Sequence, residues 1–174
     1  MPEENSAADT AARMSPRLVS EAKTQFDELY REQGSPVRNF LRLATGSNSA
    51  AEELTQETFL HLWRRPHSFD PTRGGIRAYL LGIARKKAAD WWRVNRQAAA
   101  QPSEPETSAP DGLLIRDALK PLPEDLRSML WLREVEGHSY EELAAIFHIP
   151  IGTVRSRLHS ARQQLRTIWM KEAK

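Results

Sequence analysis

The chain contains no cysteine, which excludes disulfides and thiolate-held metals and fits a reducing compartment. No stretch approaches the roughly 18 consecutive apolar residues of a membrane span. Met1–Ser15 is polar, mixed in charge and lacks the apolar core of a secretory leader, so a soluble cytoplasmic protein is expected. Glycine-rich phosphate loops are missing; Gly74-Gly75 alone is too little. The histidines (His61, His67, His138, His148 and His159) follow no metal-ligand spacing, and no serine, histidine and acid grouping stands out. Neither catalysis nor a metal or organic cofactor is therefore expected. Strand-like alternation and internal repeats are also wanting.

Net charge is only +2, too little by itself to argue for a polyanionic partner. Its distribution says more. Between Gly82 and Arg96 five basic residues stand against one acid, and between Ile151 and Lys174 six stand against one. The intervening Gln97–Gly112 stretch has no base and three acids, Glu104, Glu106 and Asp111. Two basic segments with an acidic connection suggest two polyanion-facing surfaces, although two solvated helix faces would give the same count.

Hydrophobic periodicity predicts an all-α fold of two small helical domains. Residues 1–16 read as an irregular lead. Residues 17–96 form the first domain. Leu18, Val19, Ala22, Phe26, Leu29 and Tyr30 recur at helical spacing, with Gly34 closing that helix. Ser35-Pro36 then opens a second helix through about Thr45. Ser49 and Glu52 have capping-box spacing and start a third. After a loop through Asp70–Gly75, a long helix runs from Ile76 to Arg96, with Leu80, Ile83, Ala84, Trp91 and Val94 at core spacing. Trp92 is the better candidate for a partly exposed stacking surface. Residues 97–112, with Pro102, Pro105 and Pro110, are a flexible linker whose extended limit is about 55 Å.

Residues 113–174 form the second domain: a helix over Leu113–Lys120, one opened by Pro123, then two helices around His148-Ile149-Pro150. Ser139 and Glu142 cap the first of this pair. In the last helix, running toward Trp169, Val154, Leu158, Ala161, Leu165 and Ile168 share one buried stripe. Ser156, His159, Ser160 and Gln163 lie opposite, flanked by Arg155, Arg157 and Arg162. This is the outline of a helix-turn-helix: short polar groups face base edges and arginines reach phosphates on both groove walls.

The segment Ser139–Arg162, with Gly152-Thr153-Val154-Arg155-Ser156-Arg157-Leu158 its most specific piece, resembles region four of the extracytoplasmic-function sigma factors. Ala51–Arg65 and Ile76–Arg96 resemble region two of the same family. The resemblance implies that Arg155, Ser156 and His159 read bases of the minus-thirty-five promoter element, with Thr153, Arg157 and Arg162 at its backbone. It implies that Arg73, Arg77, Arg85, Lys86, Asp90 and Arg93 hold the minus-ten strand, with Lys87 a further member of the track. Glu53, Gln56 and Glu57 would contact the clamp helices of the largest subunit of core RNA polymerase. Promoter DNA and an anti-sigma factor are the other partners it implies, and the linker acids would thread toward the polymerase cleft as RNA mimics. Two positions depart from the family pattern: Lys86 stands where asparagine is frequent, and His148 where the turn usually has glycine.

A stand-alone helix-turn-helix regulator shares the whole second-domain argument. It has no use for the Glu53–Arg65 surface or for the basic track near Lys86. Read without the family, those glutamates are simply a solvated face near a helix start.

Overall fold

A computed structural model of the chain describes the backbone of residues 16–95 and 117–172, and side chains within 23–95 and 117–171. The expected linker, the lead, and most of the helix expected over Leu113–Lys120 lie outside the described residues; 117–119 are helical. Among the described residues all regular structure is helical. The α-helices are α1 (Pro16–Thr45), α2 (Asn48–Arg64), α3 (Ile76–Asn95), α4 (Glu124–Glu134), α5 (Tyr140–Phe147) and α6 (Ile151–Glu172). Two single 3-10 turns, Pro66–Ser68 and Pro71–Arg73, link α2 to α3.

The first departure from expectation is α1. It runs unbroken through Gly34 and Pro36, where the sequence predicts two helices. A proline inside a helix removes one backbone hydrogen bond and costs several kcal/mol in isolation. Here the following turns bury Val37, Phe40, Leu41 and Ala44 completely or nearly so against α2 and α3. That packing outweighs the local penalty. The helix ends at Gly46, whose φ of 71° lies in the left-handed region that glycine adopts freely.

The cap of α2 is also two residues earlier than Ser49. The Ser47 side chain accepts from the Ala50 N–H at 3.2 Å. Thr45 fixes the approach, its hydroxyl donating to the Leu41 carbonyl and accepting from the Ser47 N–H. Along α2, Leu54, Phe59 and Leu62 face inward, and the buried hydroxyls of Thr55 and Thr58 are satisfied by carbonyls one turn back. In α3, Leu80, Leu81, Ala84 and Ala88 are buried. Val94, expected in the core, is 84% exposed because the core of the first three helices ends before the last turn of α3.

In the second half α4 opens on Pro123 with Glu124 and Asp125 in its first turn, where carboxylates suit the helix dipole. The capping box on α5 is present in both directions: Glu142 N–H to Ser139 Oγ at 3.1 Å, and Ser139 N–H to Glu142 Oε2 at 2.8 Å. His148 is left-handed at φ 52°, ψ 46°, which turns the chain into α6. Histidine is one of the few residues besides glycine found there at all readily. Val154, Leu158, Ala161 and Leu165 are buried as the stripe requires. The two halves share one continuous buried cluster, in which α3 packs against α5 and α1 against α4.

Candidate nucleic-acid interface

The outer face of α6 is open. Arg155, Ser156 and His159 are exposed, and Thr153 is half-buried at its start. Ser156 Oγ donates to the Thr153 carbonyl at 3.0 Å, holding the hydroxyl near the helix, where it still accepts. Arg157 lies on the flank, its Nη1 3.9 Å from Asp125 Oδ2. Arg162 pairs with Glu134 through Nη2 at 2.6 Å and Nε at 3.3 Å, which pushes its already high pKa further up. Such an exposed pair holds its partners by only about 0–1 kcal/mol, so a phosphate can displace it.

Of the second set of predicted residues, Arg73, Lys86 and Asp90 line a cavity of about 500 Å³ beside α3. Its wall from the first half includes Arg73, Gly75, Tyr79 and Lys86; Ala145 and His148 of the second half complete it. The loop over this cavity is braced by Asp70, whose carboxylate accepts from the Thr72 N–H and hydroxyl at 2.9 and 2.6 Å. Those two bonds hold the Asp70 carboxyl below its usual range. Arg73 and Lys86 are exposed and free to meet an anion.

The remaining residues of that set are differently employed. Arg77 donates from Nε to Gln33 Oε1 at 2.8 Å, tying α3 to α1. Arg93 is ion-paired with Asp90 one turn earlier. Arg85 points into the seam between the halves rather than along an open track: Nε donates to the Ile146 carbonyl at 3.3 Å, and the guanidinium lies 5.2 Å from the Phe147 ring centroid. Trp92, expected as a stacking surface, is half-buried and donates its indole N–H to the Ala44 carbonyl at 2.8 Å. That carbonyl belongs to the last turn of α1 and has no partner within its own helix, so the indole completes the cap.

On α2, Glu53 and Gln56 are exposed, whereas Glu57 is tied to Lys87 at 2.7 Å. The exposed face continues through Leu60 and Trp63, which are 45% and 44% accessible. Residues 53, 56, 60 and 63 follow one helical stripe. Leu60 and Trp63 were not among the residues expected here, which were Glu53, Gln56 and Glu57, although their helical spacing was the available signal. Beside this stripe His61 sits among Arg65, Lys87 and Lys86; burial first, then those cations, lower its pKa.

Two family descriptions match the chain: Sigma-70 region 2 over residues 29–98 and Sigma-70, region 4 over residues 112–165. Among curated relatives, the ECF RNA polymerase sigma factor SigL of Mycobacterium tuberculosis is 33% identical over 167 residues, covering 89% of this chain and 94% of the relative. ECF RNA polymerase sigma factor SigE of Mycolicibacterium smegmatis is also 33% identical over 167 residues, covering 87% of this chain; the chain spans 64% of that relative's length. A solved structure of the sigma factor RpoE in complex with the anti-sigma factor NepR, from Bartonella quintana, matches with a TM-score of 0.68 at 26% identity. It covers 84% of this chain and 97% of that one. CnrH, solved in complex with the cytosolic domain of CnrY, shares the fold with the same TM-score at 23% identity.

Proposed function

Because the chain belongs to the sigma-70 family, as an extracytoplasmic-function sigma factor, we propose that it binds core RNA polymerase and directs it to promoters through two DNA contacts, without catalysing a reaction itself. The observation that carries this reading is the coexistence, in family order, of an open basic reading face on α6 and a cation-lined cavity beside α3. Arg155, Ser156 and His159 meet base edges of the minus-thirty-five element in the major groove, with Thr153, Arg157 and Arg162 toward phosphates. The cavity takes an unstacked base of the minus-ten strand, with Arg73 and Lys86 drawing in its phosphates. Arg77, Arg85, Asp90 and Arg93 belong to the same region in this reading, and their intramolecular bonds make them supports of α3 in the free chain.

The stripe Glu53, Gln56, Leu60 and Trp63 is the docking face for polymerase. It offers the Glu53 carboxylate for steering and a half-exposed indole for a buried anchor. The likeness to RpoE held by NepR supports an anti-sigma factor as a further partner. Among the described residues no helix is long and apolar enough to cross a membrane.

Reconstitution tests the proposal. Purified chain added to core polymerase should co-elute with it and fix a transcript start on templates carrying a matching promoter. Tight duplex binding by the free chain, with no association with polymerase, would instead make it a stand-alone regulator.

A further inference from the structure

We propose that the pocket at the carboxyl end of α2 is a phosphate-binding site, in which Arg64, Arg65 and Lys87 hold the anion with His61 as a fourth donor. A cavity of about 450 Å³ opens there, walled by Glu57, Leu60, His61, Arg64, Arg65 and, from α3, Lys87. Three permanent cations thus meet one carboxylate across a recess of ligand size. The site does not depend on the promoter reading. His61 lines both this pocket and the cavity assigned to the minus-ten base, and Leu60 also belongs to the stripe given to polymerase. An occupant would sit at the edge of that docking face.

Helix polarity explains part of this charge. The negative end of a helix favours cations, and His61 and Arg64 occupy the last turn of α2. It does not explain Lys87, which comes across from α3 and meets Glu57 at 2.7 Å. That bond takes one of three ammonium protons and leaves two for an oxygen anion. Arg64 and Arg65 are exposed and make no side-chain ion pair among the described residues. Guanidinium forks and a lysine point charge both suit phosphate oxygens.

His61 couples occupancy to pH. Its ring is half-buried, and burial first, then Arg65, Lys87 and Lys86, hold its pKa below the ordinary histidine value. Glu57 is the one acid in the pocket and is engaged by Lys87. On its other side His61 shares the first cavity with Asp70, Arg73, Tyr79, Lys86, Asp90 and His148. An anion among these cations offsets their field, so the imidazolium becomes the favoured form and donates to it. Binding therefore raises the His61 pKa, and affinity rises as pH falls through the His61 titration. The shared chemistry is a phosphate group with open oxygens, which a free phosphate and a strand backbone both carry.

Imidazole NMR of the full chain tests the site, with His61→Gln identifying the His61 signal. Inorganic phosphate should raise the His61 pKa, whereas chloride at equal ionic strength should move it much less. Sulfate remains a dianion throughout this range, so it separates the proton of His61 from that of phosphate. Its affinity should rise about threefold or more from about pH 7.5 to about 6, and His61→Gln should abolish that rise. Replacing the exposed pair, Arg64→Ala with Arg65→Ala, should weaken sulfate about tenfold at unchanged helicity. A single-stranded minus-ten oligonucleotide is the last probe: a shift from it and not from the free anions assigns the phosphate to a strand. No shift beyond that of chloride with any probe, or the same shift in the double arginine variant, would overturn the site. A chain that binds phosphate here but fixes no transcript start keeps the site and loses the promoter reading.

Discussion

Ser139→Ala cuts the capping box that starts the first helix of the reading unit. The Ser139 hydroxyl takes the Glu142 N–H at 3.1 Å, while the Glu142 carboxylate returns to the Ser139 N–H at 2.8 Å. The substitution frees one backbone donor among the four that a helix start leaves unpaired, at a cost of about 1 kcal/mol. The return bond from Glu142 survives. Glu142→Ala removes that bond and the carboxylate at the positive end of α5, a loss of about 0.5–1 kcal/mol. The two bonds brace each other, so the double variant should lose less than the sum of the singles. In urea, with a slope of about 2 kcal/mol per molar, the Ser139→Ala midpoint should fall by about 0.5 M. Ser139→Gly should fall less than Ser139→Ala, as glycine at this position costs only a few tenths. Equal midpoints for Ser139→Ala and the unaltered chain, or strictly additive losses, would refute the claim that this box holds α5.

Three further outcomes are expected. Replacing Arg155 or Ser156 by alanine should shift preference among minus-thirty-five variants by about 1–3 kcal/mol per lost base contact in competition assays, with uniform weakening across sequences counting against the reading face. Charge reversal at Glu53 should weaken polymerase binding at unchanged helicity more than reversal at Glu57, which is already neutralised by Lys87; the ranking is read from titrations with labelled core enzyme. Burial, the dominant influence on Glu124, raises its pKa above the usual carboxylate value, so the folded state disfavours its ionised form. Its penalty is absent at low pH and grows as pH rises through that raised value. Glu124→Gln should therefore gain stability relative to the unaltered chain between about pH 4 and 7, and a flat difference in urea midpoints across that range would contradict the assignment.

The second half of the chain was largely legible because each of its features is local. The capping box is a four-residue pattern, the stripe on α6 a helical period, and the turn at His148 sits where two periods break. The first half was less so, for reasons of packing. Nothing near Gly34-Ser35-Pro36 announces that Val37, Phe40 and Leu41 will be buried deeply enough to carry the helix through a proline. The spacing of Ser49 and Glu52 pointed to Ser49 as the cap of α2, whereas the tight turn built by Thr45 and Gly46 selects Ser47. At the candidate site, exposure on α6 followed from its period. The entanglement of Arg77 with Gln33, Arg85 with Ile146 and Trp92 with Ala44 spans dozens of residues and leaves no trace in local spacing. Asp125 could be read only as an acid at a helix start, since the two arginines that face it, Arg85 of α3 and Arg157 of α6, come from distant helices.

The left-handed turn at His148 carries a burden beyond geometry. The backbone of that residue sets the pitch at which α6 leaves α5, while its ring stands beside Gly82 at the boundary between the halves. A drift toward glycine here would ease the bend and, in the same step, strip a wall from the neighbouring cavity. The angle at which α6 leaves α5 and the fit of the two halves beside Gly82 are thus inherited together, the first through the backbone of His148 and the second through its imidazole.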